Sequence, residues 1–210
     1  MSKKGFTLAE ILITLTVIGV VAALTIPTLL QNTQQAELKT ALKRDFADLN
    51  QAAIQIKTNN GGTFKAAWSG DSSFKNSFLP YLNVIKNCEQ GAAEGCWYRS
   101  DSSDTDWFYL NSTTPVGVRN NPSLILSNGV MLRFCYGNSN CDITLGVTPT
   151  TTGCGKINFD VNGFKKPNTI GKDIFTVYID ENELLPIGAK RDNDCPSGYG
   201  DDCTTKYLYE

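Results

Sequence analysis

Glu10 is the only ionisable side chain between Gly5 and Ala36, and it stands one helical turn beyond Phe6. Cleavage of the peptide bond after Gly5 would create an α-amino group on Phe6 at about the depth of that carboxylate. A charged side chain within a bilayer costs about 2.5–3.5 kcal/mol at mid-membrane and less near the interface, so an acid here calls for a cation. If the amine comes from a neighbouring copy of the chain, the two groups neutralise each other and fix the axial offset between two helices. If the chain is cut there, Gly5 and Phe6 are a processing site and Glu10 is an assembly device that sets ionic registry between copies.

Few other reactive groups stand out. The chain contains no histidine, which removes histidine triads, histidine-rich zinc sites and imidazole acid–base catalysis. Cys154 has no histidine to activate it, so no nucleophile can be named and an enzyme is not expected. Seven cysteines stand at 88, 96, 135, 141, 154, 195 and 203, none in the C-x-x-C spacing of redox or zinc sites. Cys88 with Cys96, Cys135 with Cys141, and Cys195 with Cys203 each enclose a short turn-rich loop, which suggests local bridges and leaves Cys154 single. Pairing of Cys141 with Cys154 stays open, because spacing does not determine connectivity. Either arrangement implies an oxidising compartment.

The element that positions Glu10 is apolar. Residues 11–30 form an uncharged run, and a helix of that length spans roughly 30 Å, the thickness of a bilayer core. Lys3 and Lys4 precede it, which places the N-terminus in the cytoplasm and the rest of the chain outside. A secretory signal peptide has a shorter apolar region ending in an A-x-A-like site, and neither feature fits. A plain membrane anchor accounts for length and orientation but gives no reason for Glu10. Gly19 and Ala23 make a small-xxx-small pair suited to close helix approach. Pro27 cannot donate to the carbonyl of Ala23 and should kink the helix there.

Lys3-Lys4-Gly5-Phe6-Thr7-Leu8-Ala9-Glu10, followed by the uncharged run with Gly19 and Pro27, resembles the N-terminus of type IV prepilins and of type II secretion pseudopilins. The resemblance covers about the first 35 residues. It implies that a prepilin peptidase removes residues 1–5 and methylates the amine of Phe6, and that Glu10 serves subunit registry. It also implies local loss of helix between Gly19 and Pro27 on assembly. The partners it implies are other copies and related pilin subunits, an inner-membrane assembly platform and membrane lipid. The location it implies is the bacterial cytoplasmic membrane as a single-pass protein, with the head outside and displayed on a periplasmic or surface filament.

Beyond Gln31, Leu38, Leu42, Phe46, Leu49, Ala53 and Ile56 form one apolar stripe of a helix, with Lys39, Lys43, Arg44, Asp45 and Asp48 mostly off it. Asn59-Asn60-Gly61-Gly62 supplies a stop, so one helix is expected over about 6–57. A short helix is expected over 74–87. Strand signals follow at 107–110, at 124–134 as a hairpin with an Asn-Gly turn, at 157–161 and at 174–180. The predicted fold is α+β and pilin-like, with an antiparallel sheet of about four strands laid on the second half of the long helix. The expected organisation is a leader 1–5, a transmembrane and assembly helix 6–31, and an exported head 32–210. Trp68, Trp97 and Trp107 are expected to pack in or rim the head.

Asp160, Asn162 and Asp173, around Gly163 and Gly171, resemble the start of a calcium loop but lack its third ligand and closing glutamate. The favoured reading is an Asn-Gly turn between strands. Asp192, Asp194, Asp201 and Asp202 surround the Cys195 loop, and pseudopilins hold calcium near their C-terminus, yet that motif is not recognisable here. No cofactor is expected, with calcium as a minor alternative. The Cys195–Cys203 loop resembles in position the pilin C-terminal disulfide loop. Lys165, Lys166 and Lys172 read as a solvated loop. Nineteen basic against 21 acidic residues give a net charge of −2, which offers no general attraction for nucleic acid. The expected function is a subunit of a type IV pilus-like or type II secretion pseudopilus filament. The alternative is a membrane-anchored exported binding protein or enzyme that never polymerises.

Overall fold

The computed structural model describes residues 5, 7–99, 107–113, 115–117, 120–144, 152–187, 195, 200 and 203–209. The chain divides into two compact units, 1–37 and 38–210, and one helix, α1 (Leu8–Asn59), contributes to both.

In the first unit every large apolar side chain from Leu8 to Leu30 is exposed. Among the described residues this is the one helix long and apolar enough to cross a membrane. Its threonines are compatible with lipid because their hydroxyls are satisfied within the helix. Thr16 donates to the carbonyl of Leu12 at 2.8 Å and Thr25 to that of Val21 at 2.9 Å, with Thr14 and Thr33 making similar bonds.

The second unit is built on a six-stranded antiparallel sheet. Its strands are β1 (Val84–Cys88), β2 (Ser123–Leu126), β3 (Met131–Tyr136), β6 (Gly155–Asp160), β7 (Ile174–Ile179) and β8 (Leu184–Pro186), adjacent in that order. A separate two-stranded ribbon joins β4 (Ile143–Thr144) to β5 (Thr152–Gly153). Because side chains alternate across a strand, each central strand divides its residues between two cores. Leu132, Phe134, Ile157, Phe159, Phe175 and Val177 point to the side on which Leu42, Leu49, Ala53 and Ile56 of α1 pack. Met131 and Ile174 point the other way, against Trp97, Tyr98, Trp107 and Val116.

The apolar stripe behaves as the sequence indicates: Leu42, Leu49, Ala53 and Ile56 are buried, while Leu38 and Phe46 are partly buried against the same core. Asp45 departs from the expectation. It is buried beside the stripe, accepting bonds from Arg44 Nε at 2.9 Å and Asn128 Nδ2 at 3.2 Å. The aspartate thereby ties α1 to the β2–β3 turn, where Gly129 has a φ of 88°. Burial raises its pKa, against the opposing effect of Arg44.

The helix expected over 74–87 is shorter. α2 (Asp71–Phe78) passes into a 3-10 turn, Leu79–Tyr81, and the chain then extends as β1. Pro80 can begin the turn but not continue a helix, and Val84 and Ile85 favour the strand. Residues 107–110 form only isolated bridges at Phe108, to Pro115 and to Thr169, rather than a strand. β1 and β8 at the sheet edges raise the expected four strands to six. All three tryptophans are buried.

Disulfides join Cys88 to Cys96, Cys141 to Cys154 and Cys195 to Cys203, and Cys135 is free. The bridge expected between Cys135 and Cys141 is thus replaced by the alternative pairing. Phe134 belongs to the α1-side core together with Cys141 and Cys154. The next residue along β3, Cys135, therefore faces the opposite side of the sheet.

The C-terminal helix α3 (Cys203–Tyr209) docks on β7, with Thr204 Oγ1 accepting the amide of Thr176 at 3.1 Å. Gly171 has a φ of 83°, and a Cβ there would lie 2.6 Å from the carbonyl oxygen of Gly200. Glycine is required for so close a backbone approach.

Candidate functional site

Glu10 sits at the start of α1, and its carboxylate is engaged locally. Oε2 accepts both the backbone N–H and the hydroxyl of Thr7 at 2.8 Å. The amide of Glu10 donates back to Thr7 Oγ1 at 3.3 Å. Thr7 is the residue before the first helical position and Glu10 the third residue within, so the pair forms a reciprocal capping box. The initial amides of an α-helix have no partner within it, and the box satisfies two donors at this end. A carboxylate there also meets the positive end of the helix dipole. Both bonds from Thr7 end on the same oxygen, leaving Oε1 without a hydrogen bond among the described residues.

The role of Thr7 was not recognised from the sequence, although the signal is present as Thr7-Leu8-Ala9-Glu10, the T-x-x-E pattern before an apolar run. Gly5 is described and exposed, whereas Phe6 and residues 1–4, with Lys3 and Lys4, lie outside the described residues. Gly19 lies on the exposed helix, and apart from its chain neighbours and the helix's own adjacent backbone nothing stands within 4 Å of where its Cβ would be. Any close approach at Gly19 therefore requires another molecule. Pro27 lies inside α1, and helix is assigned continuously from Leu8 to Asn59.

The residues considered for calcium form a different kind of cluster. The carboxylate of Asp160, wholly buried, accepts the Asn162 amide at 2.9 Å and meets the hydroxyl of Tyr98. That hydroxyl also lies 3.0 Å from the carbonyl oxygen of Gly163 and 3.2 Å from Asn168 Oδ1. Asp173 accepts the amides of Asn168 and Thr169, each at 2.7 Å. Burial raises both carboxyls, that of Asp160 well above the usual range with Asp173 adding to the rise, and that of Asp173 to about 6.

A phenol carries one proton, and three acceptors surround this one. A protonated Asp160 resolves the arrangement, donating to Tyr98 while Tyr98 donates onward to Gly163 or Asn168. Tyr98 itself is pushed far above its usual range by burial and by Asp160. The cluster thus holds the β6–β7 connection through hydrogen bonds. No group of three histidine, cysteine or acidic residues among the described residues is placed to hold a metal. Asp192, Asp194, Asp201 and Asp202 lie outside the described residues. Tyr98 had no sequence signal, since it meets Asp160 only through the tertiary fold.

A family model, the prokaryotic N-terminal methylation motif, matches residues 1–26. No curated protein and no solved structure matches the chain significantly.

Proposed function

Residues 1–26 carry the signature of the type IV prepilin and pseudopilin family, and from that premise we propose that the chain is a filament subunit. It is processed after Gly5 by a prepilin peptidase, methylated on Phe6, and assembled through its N-terminal helix into a type IV pilus-like or type II secretion pseudopilus filament. The observation that carries the reading is Glu10, the lone carboxylate between Gly5 and Ala36, at the start of an apolar stretch whose large side chains from Leu8 to Leu30 are exposed in the single chain.

Such a surface is stable in lipid before assembly and against neighbouring helices afterwards. Glu10 caps its own helix through Oε2 while Oε1 can receive the Phe6 amine of an adjacent copy. Insertion in the cytoplasmic membrane places the cysteine-rich head outside the cytoplasm, where its bridges form. The chain serves as a structural component rather than as an enzyme.

Intact mass of the purified mature protein tests the processing: it should lack residues 1–5 and carry one additional methyl group. A chain that still begins at Met1 contradicts the reading. The anchor alternative is separated by charge removal. Glu10→Leu should leave membrane insertion intact and impair incorporation into filaments, whereas normal incorporation would favour an anchored protein that does not polymerise.

A further inference from the structure

The two ends of the head differ in charge. Because neighbouring strands are antiparallel, the β6–β7 connection, residues 161–173, lies at one end of the sheet and the β7–β8 connection, residues 180–183, at the other. The first holds Lys165, Lys166 and Lys172, and its single acid, Asp173, is wholly buried. The second holds Asp180, Glu181 and Glu183 and no base.

α1 identifies the two ends. A Cβ at Gly163 would lie 2.7 Å from the carbonyl oxygen of Gly129, so the β6–β7 connection stands beside the β2–β3 turn, which Asn128 ties to Asp45 at 3.2 Å. At the opposite end Lys57 Nζ donates to the carbonyl of Asn182 at 2.6 Å, and the amide of Phe64 donates to that of Glu181 at 2.9 Å. The basic end is therefore the one at which α1 enters the head. Leu38 follows Leu30, the last residue of the uncharged run, by eight residues, which span at most roughly 29 Å. Connectivity alone keeps this end within reach of a bilayer that holds residues 11–30.

The lysines read from the sequence as a solvated loop share this end with an exposed aromatic ring. Phe164 is 42% exposed, with its ring centre 5.5 Å from that of Tyr98. Lys165, Lys166 and Lys172, and Lys43 on α1 at the same end, are exposed and form no ion pair among the described residues, whereas Lys65 at the other end is paired with Glu181 at 2.7 Å. The turn that carries them is held from beneath, through the Asn162 amide on Asp160 and the Asn168 and Thr169 amides on Asp173. A phenyl ring beside free ammonium groups suits a membrane interface, where the ring sits at headgroup level and each ammonium meets phosphate. The net charge of the whole chain does not oppose this, since the attraction acts within a Debye length of about 8–10 Å.

We propose that this end of the head docks on the anionic phospholipid headgroups of the bilayer that anchors the chain, with Phe164 at the interface and Lys165, Lys166 and Lys172 on headgroup phosphates. The docking rests on the insertion of residues 11–30 and not on polymerisation.

The full-length protein is reconstituted into phosphatidylcholine vesicles with and without phosphatidylglycerol, recovered by flotation, and acylated with a membrane-impermeant amine reagent read by peptide mass spectrometry. Labelling of Lys165, Lys166 and Lys172 relative to Lys65 should fall roughly fivefold or more on the anionic vesicles, the effect of a single lysine's attraction to such a surface, and should recover in molar salt. Phe164→Ser combined with Lys165→Gln should abolish the protection of Lys172 and leave the chain folded. Docking is overturned if a chain that floats with both vesicles labels equally on both, or if the double variant keeps the protection. It is also overturned if a single-stranded oligonucleotide protects these lysines and phosphatidylglycerol does not, which would assign the surface to nucleic acid. A chain that floats with neither vesicle overturns the insertion itself, and the docking with it.

Discussion

The carboxylate of Glu10 accepts the backbone amide of Thr7 at 2.8 Å, and the hydroxyl of Thr7 accepts the amide of Glu10 at 3.3 Å. One residue thus begins a helix within its own chain and keeps Oε1 without a hydrogen bond among the described residues, available for the registry proposed above. The two roles separate chemically, since capping needs an acceptor whereas ionic registry needs a charge.

Glu10→Gln retains an acceptor for Thr7 and removes the charge, and Thr7→Ala does the reverse. The first should reduce incorporation into filaments while preserving helix at residues 8–10. The second should cost about 0.5–2 kcal/mol of local helix stability, the usual effect of losing a cap, with weaker impairment of assembly. Recovery of each variant in the sheared filament fraction, set against its level in the membrane, distinguishes the two.

The bridge between Cys141 and Cys154 closes a loop of 13 residues by sequence separation. Cys154→Ser should destabilise the head by roughly 3 kcal/mol, whereas Cys135→Ser should leave its melting temperature nearly unchanged. Non-reducing peptide mapping checks the connectivity and should find Cys135 alone open to alkylation. A peptide linking Cys135 to Cys141 would contradict the pairing.

Asp160 has a carboxyl raised above the ordinary value of 3.8, so the folded state holds a proton that the unfolded chain releases. Its contribution to stability is present in full below 3.8 and declines as pH rises through the folded value. Asp173 adds a decline between 3.8 and about 6, at about 1.4 kcal/mol per unit of pH where only the unfolded state has ionised. Asparagine at 160 imitates the protonated acid, accepting from the Asn162 amide and donating to Tyr98. Asp160→Asn should therefore fold and lose stability less steeply than wild type between pH 4 and pH 8, as read by thermal melting on the pH scale of ordinary titrations. An unchanged slope would show that Asp160 is already ionised in the folded protein.

Phe134 is fully buried, with the rings of Phe74 and Phe78 each centred 5.3 Å away. Phe134→Ala should cost about 3–5 kcal/mol. Ile85 on the edge strand β1 is 68% exposed, and Ile85→Ala should change stability by less than about 0.5 kcal/mol. Denaturant midpoints of the two variants measure the contrast.

The elements legible from the sequence are those whose signal is local. The length of the uncharged run at 11–30, the helical spacing of the apolar stripe from Leu38 to Ile56 and the Asn128-Gly129 turn between two apolar runs are each contained in a short stretch of chain, so the long helix and the β2–β3 hairpin are legible directly. The T-x-x-E of Thr7 and Glu10 is equally local, a capping signal carried by the same carboxylate whose charge calls for a cation. What the tertiary structure decided depends on which side of a strand meets which neighbour. One position of register on β3 separates Phe134, in the core with Cys141 and Cys154, from Cys135 beside Arg133 and Lys156. The same long-range contacts bury Asp45 against Asn128 and bring Tyr98 to Asp160, pairings between residues far apart in the chain. Local periodicity sets the faces of an element, but the partner of a face is chosen by packing and hydrogen-bond satisfaction over the whole head.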